Sequence, residues 1–206
     1  MKNIKTNTAQ RIINSRRLLK DKKNPAGRRN VEAEEGGCGV TGFACSIPVS
    51  GKHIFEPSVQ MHNRGNGKGG GLAAVGLCPE KLGVSREILD AYFLLQVALL
   101  DESVLPEMEA RFIHPHFLIE HEAFVETVDD YRDIKGLEVK PPAVKRYFAR
   151  VKPEVIEQFR REHNLEMLPT NKIEEEFVYQ NTYRLNLAFY SSLGEKKAFV
   201  LSHGRD

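Results

Sequence analysis

Tryptophan is absent from the 206-residue chain, and cysteine is scarce: only Cys38, Cys45 and Cys78 occur. An odd number of thiols in no metal-ligand spacing argues against a disulfide framework or a zinc module and for a reducing compartment, so the cytoplasm is the expected location. Long apolar runs are missing as well. The longest, from Ala91 to Leu100, is broken by Gln96 and falls far short of the ~20 residues that span a bilayer, so no membrane partner is expected. The first residues hold no apolar core of a secretory signal, and Asp21, Glu32, Glu34 and Glu35 break the acid-poor rule of organellar presequences.

What the chain does have is an ordinary globular composition, 41% hydrophobic and 28% charged, and a length suited to one domain with an appendage. Its net charge of +2 is unevenly spread. Residues 1–37 carry ten Lys/Arg against four Asp/Glu, and the remaining residues carry 20 against 24. The first 37 residues therefore read as a basic leader, disordered or removed, ahead of a domain over 38–206. A basic arm could also grip nucleic acid, but the acidic body weighs against that partner.

The pattern interleaves both regular structures. Strands are expected from Cys38 to Ile47, over "LAAVGLC" (Leu72–Cys78), from Val144, and over "AFVLS" (Ala198–Ser202). A further strand is expected where Tyr183, Leu185, Leu187 and Phe189 alternate, with Ala198–Ser202 returning as its hairpin partner. Helices are expected at Ile54–Met61, at Glu87–Leu100 from the three-and-four spacing of Ile88, Tyr92, Leu95 and Leu99, and at Pro153–His163 with proline in the first turn. The class is α+β.

Three constellations invite chemistry and favour a bland reading. "RGNGKGGG" fails the P-loop test, because His62 stands where the first glycine belongs and Gly69 where the hydroxyl belongs. "HPHFLIEH" offers His114, His116 and His121 with Glu120 and Glu122, yet no second ligand cluster accompanies them, and no metal is expected. Arg146, Arg150, Lys152, Arg160 and Arg161 surround Tyr147, Phe148 and Phe159, which fit ordinary core positions.

Cys38 differs. In "EEGGCGVTGFA" it lies between Gly37 and Gly39. Cleavage after Gly37 would give its residue both a thiol and a free α-amine, which titrates near ~7.7–8.0 and can act as the thiol's own general base. Taken from spacing alone, a buried strand cysteine is the commoner state.

"CGVTGFA", followed by "MHNRGNGKGGGLAAVGL", resembles the class II glutamine amidotransferases, an N-terminal-nucleophile hydrolase family. "VKPPAVKRYFARVK", "EFVYQNTYRLNLAFY" and "KKAFVLSHGRD" narrow the likeness to the stand-alone glutaminase of archaeal-type glutamate synthase, over nearly all of residues 32–206. The resemblance implies a four-layer αββα sandwich and release of ammonia from L-glutamine through a Cys38 thioester. The ammonia would pass to glutamate synthase subunits, which hold the flavin and iron–sulfur centres, so this chain itself needs no cofactor. The family's carboxylate-binding arginine, Asn-Gly oxyanion pair and amine-binding aspartate fall beyond "SHGRD", and Arg205 and Asp206 do not replace them. The substrate-binding residues are thus unassigned. The 206 residues are expected to be the N-terminal part of the domain, inactive alone and completed by a C-terminal fragment, or else a non-catalytic module that binds synthase subunits.

Overall fold

The computed structural model describes residues 2–20, 39–62, 71–134, 139–191 and 194–206. In chain order these form α1 (Lys2–Lys20), α2 (Phe55–His62), α3 (Pro79–Leu82), α4 (Arg86–Ala91), β1 (Phe93–Leu99), α5 (Leu105–Met108), β2 (Phe117–Phe124), β3 (Ala143–Val151), α6 (Pro153–Glu162), α7 (Thr170–Phe189) and β4 (Ala198–Gly204). The strands make one sheet in the order β2-β3-β1-β4, antiparallel throughout. The fold is α+β, as the interleaved patterns indicate.

Local signals explain several elements directly. Pro153 occupies the first turn of α6, where its missing N–H costs nothing. Ser85 caps α4 by accepting from the Ile88 amide at 3.3 Å. β3 and β4 stand where alternation places strands.

Two expectations are overturned by tertiary pairing. The helix foreseen over Glu87–Leu100 stops at Ala91. Tyr92 is extended, and Phe93, Leu95, Val97 and Leu99 continue as the buried side of β1. Because all of Phe93–Leu99 except Gln96 is apolar, the run satisfies both periods, and pairing with β3 and β4 decides between them. The strand foreseen at Tyr183–Phe189 is the last part of α7. Leu185 and Phe189, four apart, are buried, whereas Tyr183 and Leu187 face outward. β4 is consequently not the return of a hairpin and pairs with β1.

The strands foreseen at Cys38–Ile47 and Leu72–Cys78 do not form among the described residues. Residues 39–47 and 72–78 follow irregular paths, with Val40 87% and Val75 84% exposed. Alternating apolar residues make a strand only beside a partner edge, and neither segment has one here. The short helix expected at Ile54–Met61 is α2. Within residues 1–37, α1 is a continuous helix that packs on α7.

The core lies between the sheet and α6 and α7. Phe93, Leu95, Val97 and Leu99 of β1 pair in register with Ala149, Tyr147, Lys145 and Ala143 of β3, and most of these join Phe159, Ile173, Phe177 and Leu185 in one buried cluster. A register shift between Ile119 and His121 in β2 lets Glu122 and Phe124 lie opposite Tyr147 and Lys145, the re-aiming that a bulge produces. The other sheet face carries a polar file: Arg146 Nε donates to Gln96 Oε1 at 3.3 Å, and Gln96 Nε2 donates to Ser202 Oγ at 3.2 Å.

The helical assignment of α7 predicts a sharp contrast between near neighbours. Leu185→Ala is expected to destabilise the fold by about 2–5 kcal/mol, and Leu187→Ala by less than about 0.5 kcal/mol, because the two side chains are 1% and 48% exposed. Denaturant unfolding of the two variants checks this. Equal losses, as for two residues on one strand face, would contradict the helix.

Candidate functional site

Cys38 lies outside the described residues, as does most of the glycine-rich loop, residues 63–70. Their described neighbours nevertheless meet. A Cβ placed on Gly39 would fall 3.0 Å from Met61 Sδ, and 3.1 Å from both Met61 Cβ and the Met61 carbonyl oxygen. The residue directly after Cys38 is thus pressed against the last turn of α2, one residue before His62 opens the "HNRGNGKGGG" segment. Two stretches some twenty residues apart in sequence are joined at this contact. A side chain at residue 39 would crowd Met61, so the close approach favours glycine for reasons of room.

The segment after that loop is fixed from the far end of the sheet. Asp206 accepts the Leu77 amide on both carboxylate oxygens at 3.2 and 3.0 Å, and Arg86 Nη2 donates to the Leu77 carbonyl at 2.9 Å. Arg205 lies over the Phe93 ring at 3.8 Å and pairs with Glu174, whose other oxygen accepts the Val151 amide at 3.1 Å. Both terminal residues are therefore engaged in structural contacts. Cys45 and Cys78 are exposed, and Cys78 Sγ donates to Glu80 Oε2 at 3.0 Å. That bond is the main cause holding the Glu80 carboxyl below its usual range.

The three histidines of "HPHFLIEH" do not converge. His116 packs edge-on against Phe177, and His121 against Phe148, on opposite faces of the sheet. His114 instead approaches Glu109 and Glu122, their ligand atoms lying within 4.8 Å of one another. Spacing along the chain gave no hint of this trio. It depends on the π turn Glu109–Ile113, in which the His114 amide donates to the Glu109 carbonyl at 2.9 Å, and on the bulge in β2. The two carboxylates already have partners: Tyr147 Oη donates to Glu109 at 2.8 Å, and Lys145 Nζ donates to Glu122 at 3.3 Å. The buried Tyr147 hydroxyl is thereby held protonated, its pKa driven far up by desolvation and then by the Glu109 bond. The two carboxylates of the trio are thus engaged in the protein's own polar contacts.

The aromatics between the basic residues of β3 and α6 are all buried, Tyr147 and Phe159 in the core cluster and Phe148 on the other face of the sheet. Their cations diverge. Arg146 turns to Gln96, Lys152 to the His114 carbonyl, and Arg160 to Thr170.

No family model, no curated protein and no solved structure matches the chain.

A cleft between α7 and β4 is lined by Tyr179, Thr182, Asn186 and His203. His203 Nδ1 is 3.0 Å from Thr182 Oγ1, and its ring meets Tyr179 edge-on. Desolvation of the ring against α7 lowers the pKa of His203, although the residue as a whole is exposed, and desolvation is likewise the first cause of the lowered values of His116 and His163. A histidine whose folded pKa is depressed binds protons more readily when unfolded. Its contribution is present above about pH 6.5 and is lost as pH falls through the folded value. NMR titration should therefore find the His203 ring protonating below about 6.5, with unfolding midpoints that decline on acidification from that pH. A His203 value above 6.5 would contradict the desolvation of its ring.

Proposed function

We propose that this chain is the N-terminal part of a class II glutamine amidotransferase, similar to the stand-alone glutaminase of archaeal-type glutamate synthase, with Cys38 as nucleophile. The observation that carries the reading is the contact of Gly39 with Met61. It draws together the two motif-bearing segments on which the resemblance rests. The architecture adds support. α6 and α7 both cover one face of the sheet, and the second face carries residues such as Leu118, 52% exposed. One helix layer on one sheet layer is what half of an αββα sandwich would provide.

The chemistry follows from the residue itself. Cleavage after Gly37 frees the Cys38 α-amine, which takes the thiol proton. The thiolate adds to the side-chain amide carbonyl of glutamine, the C–N bond breaks with proton transfer to nitrogen, and ammonia leaves. Water then attacks the glutamyl thioester, giving glutamate and restoring the thiol. The donors that stabilise the oxyanion in this family are not among these residues, and loss of even one such donor costs ~10²–10³ in rate. Turnover accordingly requires the completing segment, and the ammonia acceptor belongs to the synthase subunits.

Co-expression with that segment should yield a chain beginning at Cys38, 37 residues shorter by intact mass, whose thiol is labelled by an electrophilic glutamine analogue. Cys38→Ala should abolish the labelling. Persistent Met1 or Lys2 at the head of every molecule, with no labelling, would overturn the proposal.

A further inference from the structure

The basic leader contains a helix bound to the body by side chains made for each other. α1 bears Lys2, Lys5, Arg11, Arg16, Arg17 and Lys20 and no acidic residue. Arg16 grips Glu176 of α7 with two bonds, Nε to Oε1 at 2.7 Å and Nη2 to Oε2 at 2.6 Å, and its guanidinium lies 4.2 Å from the centroid of the Tyr179 ring. The Glu176 side chain is almost fully buried. Its Oε1 also accepts from Gln180 Nε2 at 3.0 Å, and the same amide donates to Ser15 Oγ at 3.0 Å. Arg11 reaches the Asn164 carbonyl at 2.9 Å, Ile12 packs on the core cluster, and Leu19 is buried.

A discarded leader needs none of this. A bidentate Arg–carboxylate pair is directional as well as strong, and stacking on tyrosine adds a second hold on the same guanidinium. Taking α1 away would strip a buried carboxylate of its cation and bare part of the core. The binding surface lies wholly on the body, in α7 and at Asn164, so it survives a cut anywhere between residues 20 and 39.

We infer that α1 is a retained docking helix: after cleavage between Gly37 and Cys38, the 37-residue fragment stays on α7, and the mature protein is a two-chain complex. The inference rests on the maturation reading above for its natural cut. The partner that fits this face of α7 is a basic helix without acids, and the chain carries its own.

The test separates the two ideas. A site-specific protease sequence is inserted after Gly27 in the full chain, the protein is cut, and gel filtration at about 0.1 M salt follows the fragment. Retention with the body is expected, with release only in denaturant. Arg16→Ala should release the fragment at least about tenfold faster, and the exchange Arg16→Glu with Glu176→Arg should restore retention relative to Arg16→Glu alone. Loss of the unsubstituted fragment on the first column would overturn the inference and leave the glutaminase reading standing. N-terminal sequencing of protein made with its completing segment reads the natural cut: a second sequence beginning at Cys38 beside that of the leader is expected, and a single sequence from the leader with none from Cys38 would overturn the maturation reading, whatever the column shows.

Discussion

The structure depends on one helix that buries polar side chains. Glu174, Glu176, Gln180, Asn181 and Thr182 of α7 are all largely hidden from solvent, and buried polar groups are costly unless each is bonded. Each of these residues finds a partner elsewhere in the fold, although the Gln180 Oε1 atom itself has none among the described residues. Glu174 takes the Val151 amide and Arg205, and Glu176 and Gln180 take α1. Asn181 donates to the Phe112 carbonyl in the π turn at 2.8 Å, and Thr182 meets His203 of β4. One turn further on, Asn186 accepts the Val200 amide at 2.8 Å. Apolar packing of Ile173, Phe177, Leu185 and Phe189 supplies burial along the same helix. The polar contacts fix its rotation and depth, because sliding α7 by one residue would orphan several groups at once.

That arrangement explains what could be read from the amino acids and what could not. β3 and α6 were legible because their signals are local: alternation along Val144–Val151, and a proline exactly one residue into a short amphipathic turn pattern. α7 was not, because its buried stripe is interrupted by Glu, Gln, Asn and Thr, so no clean apolar period of 3.6 survives. Tyr183, Leu185, Leu187 and Phe189 then offered a spurious period of two. The Phe93–Leu99 run failed for the opposite reason, an excess of apolar residues that fits either period. In both cases the deciding information is non-local, carried by partners such as Ala149, Val200 and Phe112.

Segments beyond the sheet show the same dependence. Val40 and Val75 belong to runs with strand-forming composition, yet they remain exposed and irregular among the described residues. β propensity describes fitness for a pleated, half-buried surface, and it takes effect when such a surface is present. The basic leader errs in the other direction. Its charge suggested solvation, but Ile12, Ser15 and Leu19 fall on the side of α1 that meets the body, and Arg16 pairs with the Glu176 carboxylate, which is buried with α1 in place. Composition records how many charges a segment has; whether they are solvated depends on what α7 offers them.

Cys38 is a candidate from residue type alone, and the structure describes only the residue that follows it. What the structure shows at Gly39 is crowding. Even an alanine methyl would come within about van der Waals overlap of the Met61 carbonyl, a backbone atom that cannot rotate away. The crowding ties residue 39 to the last turn of α2, a constraint that becomes visible only once the fold sets two segments some twenty residues apart side by side.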